Sequence, residues 1–336
     1  MKKVLFAALA GVVVLSGCAK TEVAEVADNR AISFDNFVTN NVKSFIDEKA
    51  DLTKMYVYGG YATVPGIFVN QEVSFDGAKW TYTPVRYWEP TQTYHFAAYS
   101  NGNDKIDEAN ITFNDNHHLV INYTLADAAN NDLVYAAGLE AGYQWAENME
   151  PVHFTFHHIL SKVRFSFSKA ADLNGLDVEV RNITIQPNTV ATFTGATLAG
   201  GQYDYSCWTG WATLGTVNFP EVTVPENVDG PASSEYRLFI PQDVTLLNVA
   251  FDVVHAQLTE QGTIDNENTE VIRHFEVTLS NVDGNRWNPG HVYTYNAEIK
   301  ASNLDLEPIE FTVDDVTTWT DNTVDDIIGD TEGIIE

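Results

Sequence analysis

Nine histidines are the side chains of this sequence best suited to hold a metal. They fall as His117-His118, as His153 with His157-His158, and singly at His95, His255, His274 and His291. On a helix, His153 and His157 would stand one turn apart and could share an ion. Their neighbours Val152, Phe154, Thr155 and Phe156 favour a strand instead, in which four residues span ~13 Å. Zinc–ligand bonds are only about 2.0–2.3 Å long, so one ion cannot bridge that distance. The expectation is that His157 or His158 is hydrogen-bonded near a turn of the chain, with no metal and no other cofactor.

Catalytic signatures are missing as well. The sequence has no H-E-x-x-H, no G-x-S-x-G and no phosphate-binding loop. Residues 101–108 are acidic and contain Gly102, but they lack the ligand order of an EF-hand and its glycine at position six. Among 47 Asp and Glu, no pair stands out as the two carboxylates of a glycosidase. The chain therefore reads as a non-enzyme. Indole faces offer another chemistry, stacking on sugar rings. Trp80-Thr81-Tyr82, Tyr87-Trp88 and the pair Trp208 and Trp211 are candidates for such a platform. In a chain with 18 Phe, 15 Tyr and 7 Trp, packing in a core is the plainer assignment.

Two thiols remain to be placed. Cys207, in Tyr205-Ser206-Cys207-Trp208, reads as a buried small apolar residue. Cys18 stands in a different setting. Met1-Lys2-Lys3 is a basic start, residues 4–15 are an apolar run, and Leu15-Ser16-Gly17-Cys18 follows. The run is shorter than the ~20 residues that span a bilayer, but it suits the core of a signal peptide. Small residues admit a peptidase and the thiol accepts lipid, a pattern that resembles the bacterial lipobox. Residues 1–17 are thus expected to be a lipoprotein signal peptide, Cys18 the lipidation site, and residues 18–30 a lipidated linker. Each buried acyl methylene contributes about 0.8 kcal/mol to membrane anchoring. The net charge of −29 repels phosphate backbones, so nucleic acid is not an expected partner.

The elements that would position these residues are strands. Period-two alternation recurs in Tyr94-His95-Phe96-Ala97-Ala98-Tyr99, in His118-Leu119-Val120-Ile121-Asn122-Tyr123 and in Val178-Glu179-Val180-Arg181. It returns in Phe275-Glu276-Val277-Thr278-Leu279 and Val292-Tyr293-Thr294-Tyr295. Turn residues such as Asn101-Gly102-Asn103-Asp104 separate the runs. No stretch after the leader keeps a helical stripe for three turns; residues 134–146 come closest, and Gly138 and Gly142 interrupt them. The fold class is all-β. Phe154, Phe156 and His158 share one face, whereas Val163, Phe165 and Phe167 lie on the other parity, so the chain must turn near residues 159–162. That turn predicts β-sandwich domains over residues 31–158 and 159–320, followed by an acidic mobile tail over 321–336. From residue 301 to the end there are 11 acidic residues and no basic one.

Several blocks stand in a set order: Ala31-Ile32-Ser33-Phe34, Met55-Tyr56-Val57-Tyr58-Gly59, the run from Trp80 to Trp88, and Asp132-Leu133-Val134-Tyr135-Ala136. The most specific is Val152-His153-Phe154-Thr155-Phe156-His157-His158-Ile159-Leu160-Ser161-Lys162-Val163-Arg164-Phe165. Ile309-Glu310-Phe311-Thr312-Val313 and Val316-Thr317-Thr318-Trp319 close the set. Together and in this order they resemble the fimbrillin family of Bacteroidetes, the lipoprotein subunits of type V pili.

The resemblance implies two transthyretin-like sandwich domains in tandem, and lipid-anchored precursors at the outer membrane and cell surface. It also implies a trypsin-like protease that removes an N-terminal strand, leaving a groove for a strand from another fimbrial subunit. On this chain the removable strand would hold Ile32, Phe34 and Phe37. Cleavage after Arg30 would free the lipid and leave the strand, whereas cleavage after Lys43 would remove both, so Lys43 is the preferred activating site; a solvated loop lysine is the alternative of equal standing. The donor strand would carry Ile309, Phe311, Val313, Val316 and Trp319, residues that equally suit the last strand of the second domain. Buried together, four such side chains contribute roughly 6–12 kcal/mol.

The reading is a fimbrial structural subunit or tip adhesin serving cell adhesion to host or bacterial surface ligands. The alternative is a monomeric surface lipoprotein that binds glycans through Trp80, Trp88, Trp208 or Trp211. Trypsin treatment separates the two: a subunit should yield ladders on gels, whereas a glycan receptor stays monomeric and loses ligand when a tryptophan is replaced.

Overall fold

A computed structural model describes residues 30–38, 51–126, 131–143, 149–196, 203–225, 230–258, 270–280, 284–305, 307–313 and 316–319. Cys18, Lys43 and the acidic tail lie outside the described residues. The first half holds β1 (Phe34–Val38), β2 (Lys54–Tyr61), β3 (Val64–Phe75), β4 (Trp80–Thr81), β5 (Thr93–Asn101), β6 (Ile111–Phe113), β7 (Leu119–Thr124), β8 (Leu133–Gly142) and β9 (Val152–His158). Next come β10 (Ser161–Lys169), β11 (Leu176–Ile185), β12 (Asn188–Thr194), β13 (Trp208–Leu214), β14 (Val217–Asn218), β15 (Val222–Val224), β16 (Ala232–Ser233) and β17 (Arg237–Phe239). The last are β18 (Asn248–Gln257), β19 (Val271–Thr278), β20 (His291–Ile299), β21 (Thr312–Val313) and β22 (Thr317–Thr318). One turn of α-helix, α1 (Ala301–Leu304), follows β20. The chain is all-β.

Alternation explains most of these strands. Along β7, Leu119, Ile121 and Tyr123 are buried while Asn122 and Thr124 face solvent. Residues 133–142, the stretch nearest to a helical pattern, form β8 because their sheet is covered on both faces. Leu133 and Tyr135 enter one core while Val134 and Ala136 enter the other. A strand buried on both sides reads as a continuous apolar run, and periodicity alone cannot separate that from a helix. The turn expected at residues 101–104 is present, closed by a bridge between Asn101 and Asp104, with Gly102 and Asn103 at positive φ.

The seven-stranded sheet has the order β1-β9-β8-β5-β2-β3-β4. Across Ile159 and Leu160, both buried, the chain leaves it and enters the sheet β16-β10-β20-β21. That is where the apolar face changes parity. The two sides of this point are nevertheless joined: the four-stranded sheet β13-β12-β7-β6 pairs residues 120–124 with residues 190–194. One core cluster accordingly runs from Tyr56 and Tyr99 through Trp208 to Trp287 and Tyr295. A second, smaller cluster covers the other face of the seven-stranded sheet and contains Ile32 and Phe34.

Candidate functional site: the N-terminal edge strand and its groove

β1 is five residues long and is the outermost strand of its sheet, running parallel to β9 from Phe34 opposite Val152 to Val38 opposite Phe156. The residues just before it make an antiparallel bridge, Ala31 with Tyr87. Ile32 N–H donates to the Arg86 carbonyl at 2.9 Å, and Trp88 N–H donates to the Arg30 carbonyl at 2.9 Å. The Tyr82 hydroxyl donates to the Ile32 carbonyl at 2.7 Å, and Val152 N–H to the Ser33 carbonyl at 2.8 Å. The strand is thus held between the 82–88 loop and β9.

Its inward face is Ile32, Phe34 and Asn36, all buried. The Phe34 ring is central to an aromatic cluster. Phe68, Tyr82, Phe96 and Phe154 surround it with centroids at 5.3, 5.5, 5.7 and 5.8 Å. Such pairs contribute about 0.5–1.5 kcal/mol beyond area burial. Asn36 is 0% exposed, and among the described residues neither its Oδ1 nor its Nδ2 has a hydrogen-bond partner. Its backbone N–H donates to the Asp35 carboxylate at 2.7 Å. Phe37 belongs to β1 in register with Thr155. Arg30 is exposed at the start of this segment.

Of the candidate donor residues Val313 lies in β21, Ile309 and Phe311 precede that strand, and Val316 and Trp319 flank β22. β21 pairs antiparallel with β20, Val313 opposite Tyr295, and β22 pairs further along it, Thr317 opposite Val292. Ile309 is buried, while Phe311, Val313 and Val316 are half-buried. Phe311 packs on Phe165 at 5.5 Å and Phe251 at 5.8 Å. Trp319 is buried and donates its backbone N–H to the Gly290 carbonyl at 2.6 Å. Its indole stacks on His158, and the Lys162 ammonium lies 4.6 Å from the ring centre.

At the change of sheets His158 Nδ1 lies 2.8 Å from Asp132 Oδ2, both groups almost fully buried. The partners Asp132 and Lys162 have no marker in the sequence, because only the fold brings residues 132, 158, 162 and 319 together. Asn36 did carry one, a polar residue on the inward parity set by Ile32 and Phe34. His95 and His117 stack face to face at 3.7 Å. Among the described residues, no group of three or more His, Cys, Asp or Glu could hold a metal ion.

The four tryptophans do not make one platform. Trp88 and Trp208 are buried, and the Trp208 Nε1–H donates to the Ile159 carbonyl at 2.9 Å. Trp80 packs on Phe75. Trp211 stacks on Tyr205 at 5.2 Å and donates to the Pro241 carbonyl, while Arg286 lies 4.8 Å from the Tyr205 ring centre.

These features define an all-β protein whose candidate site is a sheet edge closed by a short strand. The chain belongs to the fimbrillin-like family, whose model matches residues 31–317. Membership implies a fimbrial, adhesin-type protein of the cell surface that associates with other fimbrial subunits. Two solved structures share its fold. A fimbrial protein from Bacteroides vulgatus is 16% identical with a TM-score of 0.57, the match covering 87% of this chain and 100% of that one. A candidate cell adhesion protein from Bacteroides ovatus is 13% identical with a TM-score of 0.52, covering 87% of this chain and 98% of the other. No curated protein matches the chain.

Proposed function

We propose that this chain is a non-enzymatic fimbrial subunit or tip adhesin, anchored to the outer membrane through lipid on Cys18. It assembles by protease-triggered strand exchange between two transthyretin-like halves, residues 31–158 and 159–320, of successive subunits, and serves cell adhesion. The observation that carries this reading is the seat of Phe34. A large ring is fully buried on a five-residue edge strand, so removing the strand opens an aromatic groove with unpaired β9 backbone beside it. Ile32 and Phe34 together contribute about 3–6 kcal/mol by burial, and an incoming strand with four apolar side chains contributes more. Cleavage after Arg30 leaves β1 in place, so Lys43, beyond β1 in the chain, is the activating site.

The test is direct. Purified full chain is treated with limiting trypsin, and the products are separated without boiling. The reading predicts a ladder of noncovalent oligomers whose subunits begin after Lys43. Trimming at Lys43 with only monomer afterwards would overturn it.

A further inference from the structure

A strand that is to be replaced must be seated well enough to fold the precursor and poorly enough to leave. The feature of β1 that meets the second need is Asn36. Its amide sits at 0% exposure with donor and acceptor atoms both unpartnered among the described residues, directly after Phe34 on the inward face. A buried amide without hydrogen bonds keeps the whole desolvation penalty it would have escaped in water. Apolar replacement at such a site removes that penalty, and valine is close to asparagine in size.

The chain contains a second segment with the same spacing. Ile32-Ser33-Phe34-Asp35-Asn36 and Ile309-Glu310-Phe311-Thr312-Val313 place Ile, Phe and a third residue at alternate positions, with polar residues between them. They differ in kind only at the third inward position, where Asn36 is answered by Val313. In its own copy Ile309 of the second segment is buried, but the residues after it are less firmly held. Its ladder, β21, is two residues long, and Phe311 and Val313 are only half-buried, whereas Phe34 in the groove is 3% exposed. Moving Phe311 into the Phe34 site therefore buries more apolar surface than it gives up.

We propose that Asn36 is the built-in weakness of the resident strand, and that residues 309–313 of a second copy enter the same groove in the same direction. Ile309 takes the Ile32 site, Phe311 the Phe34 site and Val313 the Asn36 site. This rests on the strand-exchange reading above and adds its register and its driving force. Exchange runs one way because the incoming strand repeats the resident one with the unpaired amide replaced by a methyl pair. The partner is thus a second copy of this chain, recognised by an Ile-x-Phe-x-Val pattern.

The test uses the full chain and two substitutions, Asn36→Val and Val313→Asn. In the uncut protein, Asn36→Val should slow hydrogen exchange of the amides of residues 34–38 about tenfold, and Val313→Asn should leave them unchanged. After limiting trypsin, both substitutions should slow ladder formation about tenfold, the first by holding the resident strand and the second by weakening the incoming one. A ladder that forms at the unaltered rate in both variants overturns the register and the role of Asn36 while leaving strand exchange intact. No ladder from any form, wild type included, overturns strand exchange and the register with it.

Discussion

Trp319 and His158 lie face to face, ring centres 3.7 Å apart and planes 10° apart, so the last described residue of the chain is clamped onto the point where it changes sheets. Asp132 Oδ2 lies 2.8 Å from the imidazole Nδ1, and the Lys162 ammonium lies 4.6 Å from the centre of the indole. A cation over an indole face is worth about 0.5–2 kcal/mol. This clamp holds the end of the segment that we propose as the donor strand.

Trp319→Ala should therefore do two things at once. It should lower the unfolding free energy by about 3–5 kcal/mol, the usual range for truncating a buried tryptophan. It should also speed ladder formation after trypsin, because residues 309–319 are released more easily. A stability loss of that size with slower assembly would separate the clamp from the donor role.

Phe34→Ala empties the centre of the cluster formed by Phe68, Tyr82, Phe96 and Phe154. The expected loss is about 3–5 kcal/mol in urea unfolding. Hydrogen exchange should localise the loosening to β1 and β9. Unaltered protection there would contradict the packing described above.

Stability should fall on acidification. Burial pushes the His95 imidazole below its ordinary value of 6.5, and the stacked His117 pushes in the same direction against an opposing Glu140. Burial likewise lowers His118, helped by His117, and His255, helped by Arg273. For each, the unfolded chain takes up its proton at a higher pH than the folded one. Stability is thus level above about pH 6.5 and is lost as pH falls from there through the folded values. Denaturant midpoints measured from pH 8 to pH 5 should decline below pH 6.5, and the decline should shrink in a His95→Gln, His118→Gln variant. A midpoint that rises over that interval would contradict this.

Cys207 should be inert in the native protein. It is 9% exposed, and burial raises its thiol above the ordinary range, so little thiolate is present near neutral pH. A maleimide probe at pH 7 should label it only after denaturation. Prompt labelling of the folded chain would show an open thiol.

The all-β class was legible because half-buried strands such as β7 and β9 alternate cleanly, and the switch from Phe156 to Val163 marked the change of sheets. The seat of Ile32 and Phe34 in a groove was expected from the family resemblance, not from alternation. Sheet partners were not legible. Val190 pairs with Thr124 and Phe34 with Val152, and alternation within a strand carries no information about a partner so far along the chain. The approach of His158 to Asp132 was not legible either, since nothing in the sequence brings residues 132 and 158 together. Trp88 and Trp208 as sugar platforms failed on burial, which aromatic content alone does not report.

One measurement tests strand exchange most directly. In β1, Asp35 stands opposite His153 on β9, so the proposed register brings a sister subunit's Thr312 to that position. A chain carrying Thr312→Cys and His153→Cys, treated with limiting trypsin and then oxidised, should give disulfide-linked oligomers on non-reducing denaturing gels. A chain carrying Glu310→Cys and His153→Cys, two residues out of register, should give none, because bridged Cα atoms must lie within about 4.4–6.8 Å. Linked oligomers only from the first pair are the predicted result. Monomers from both pairs, beside a normal cleavage pattern, would contradict the entry of residues 309–313 into the groove that β1 vacates.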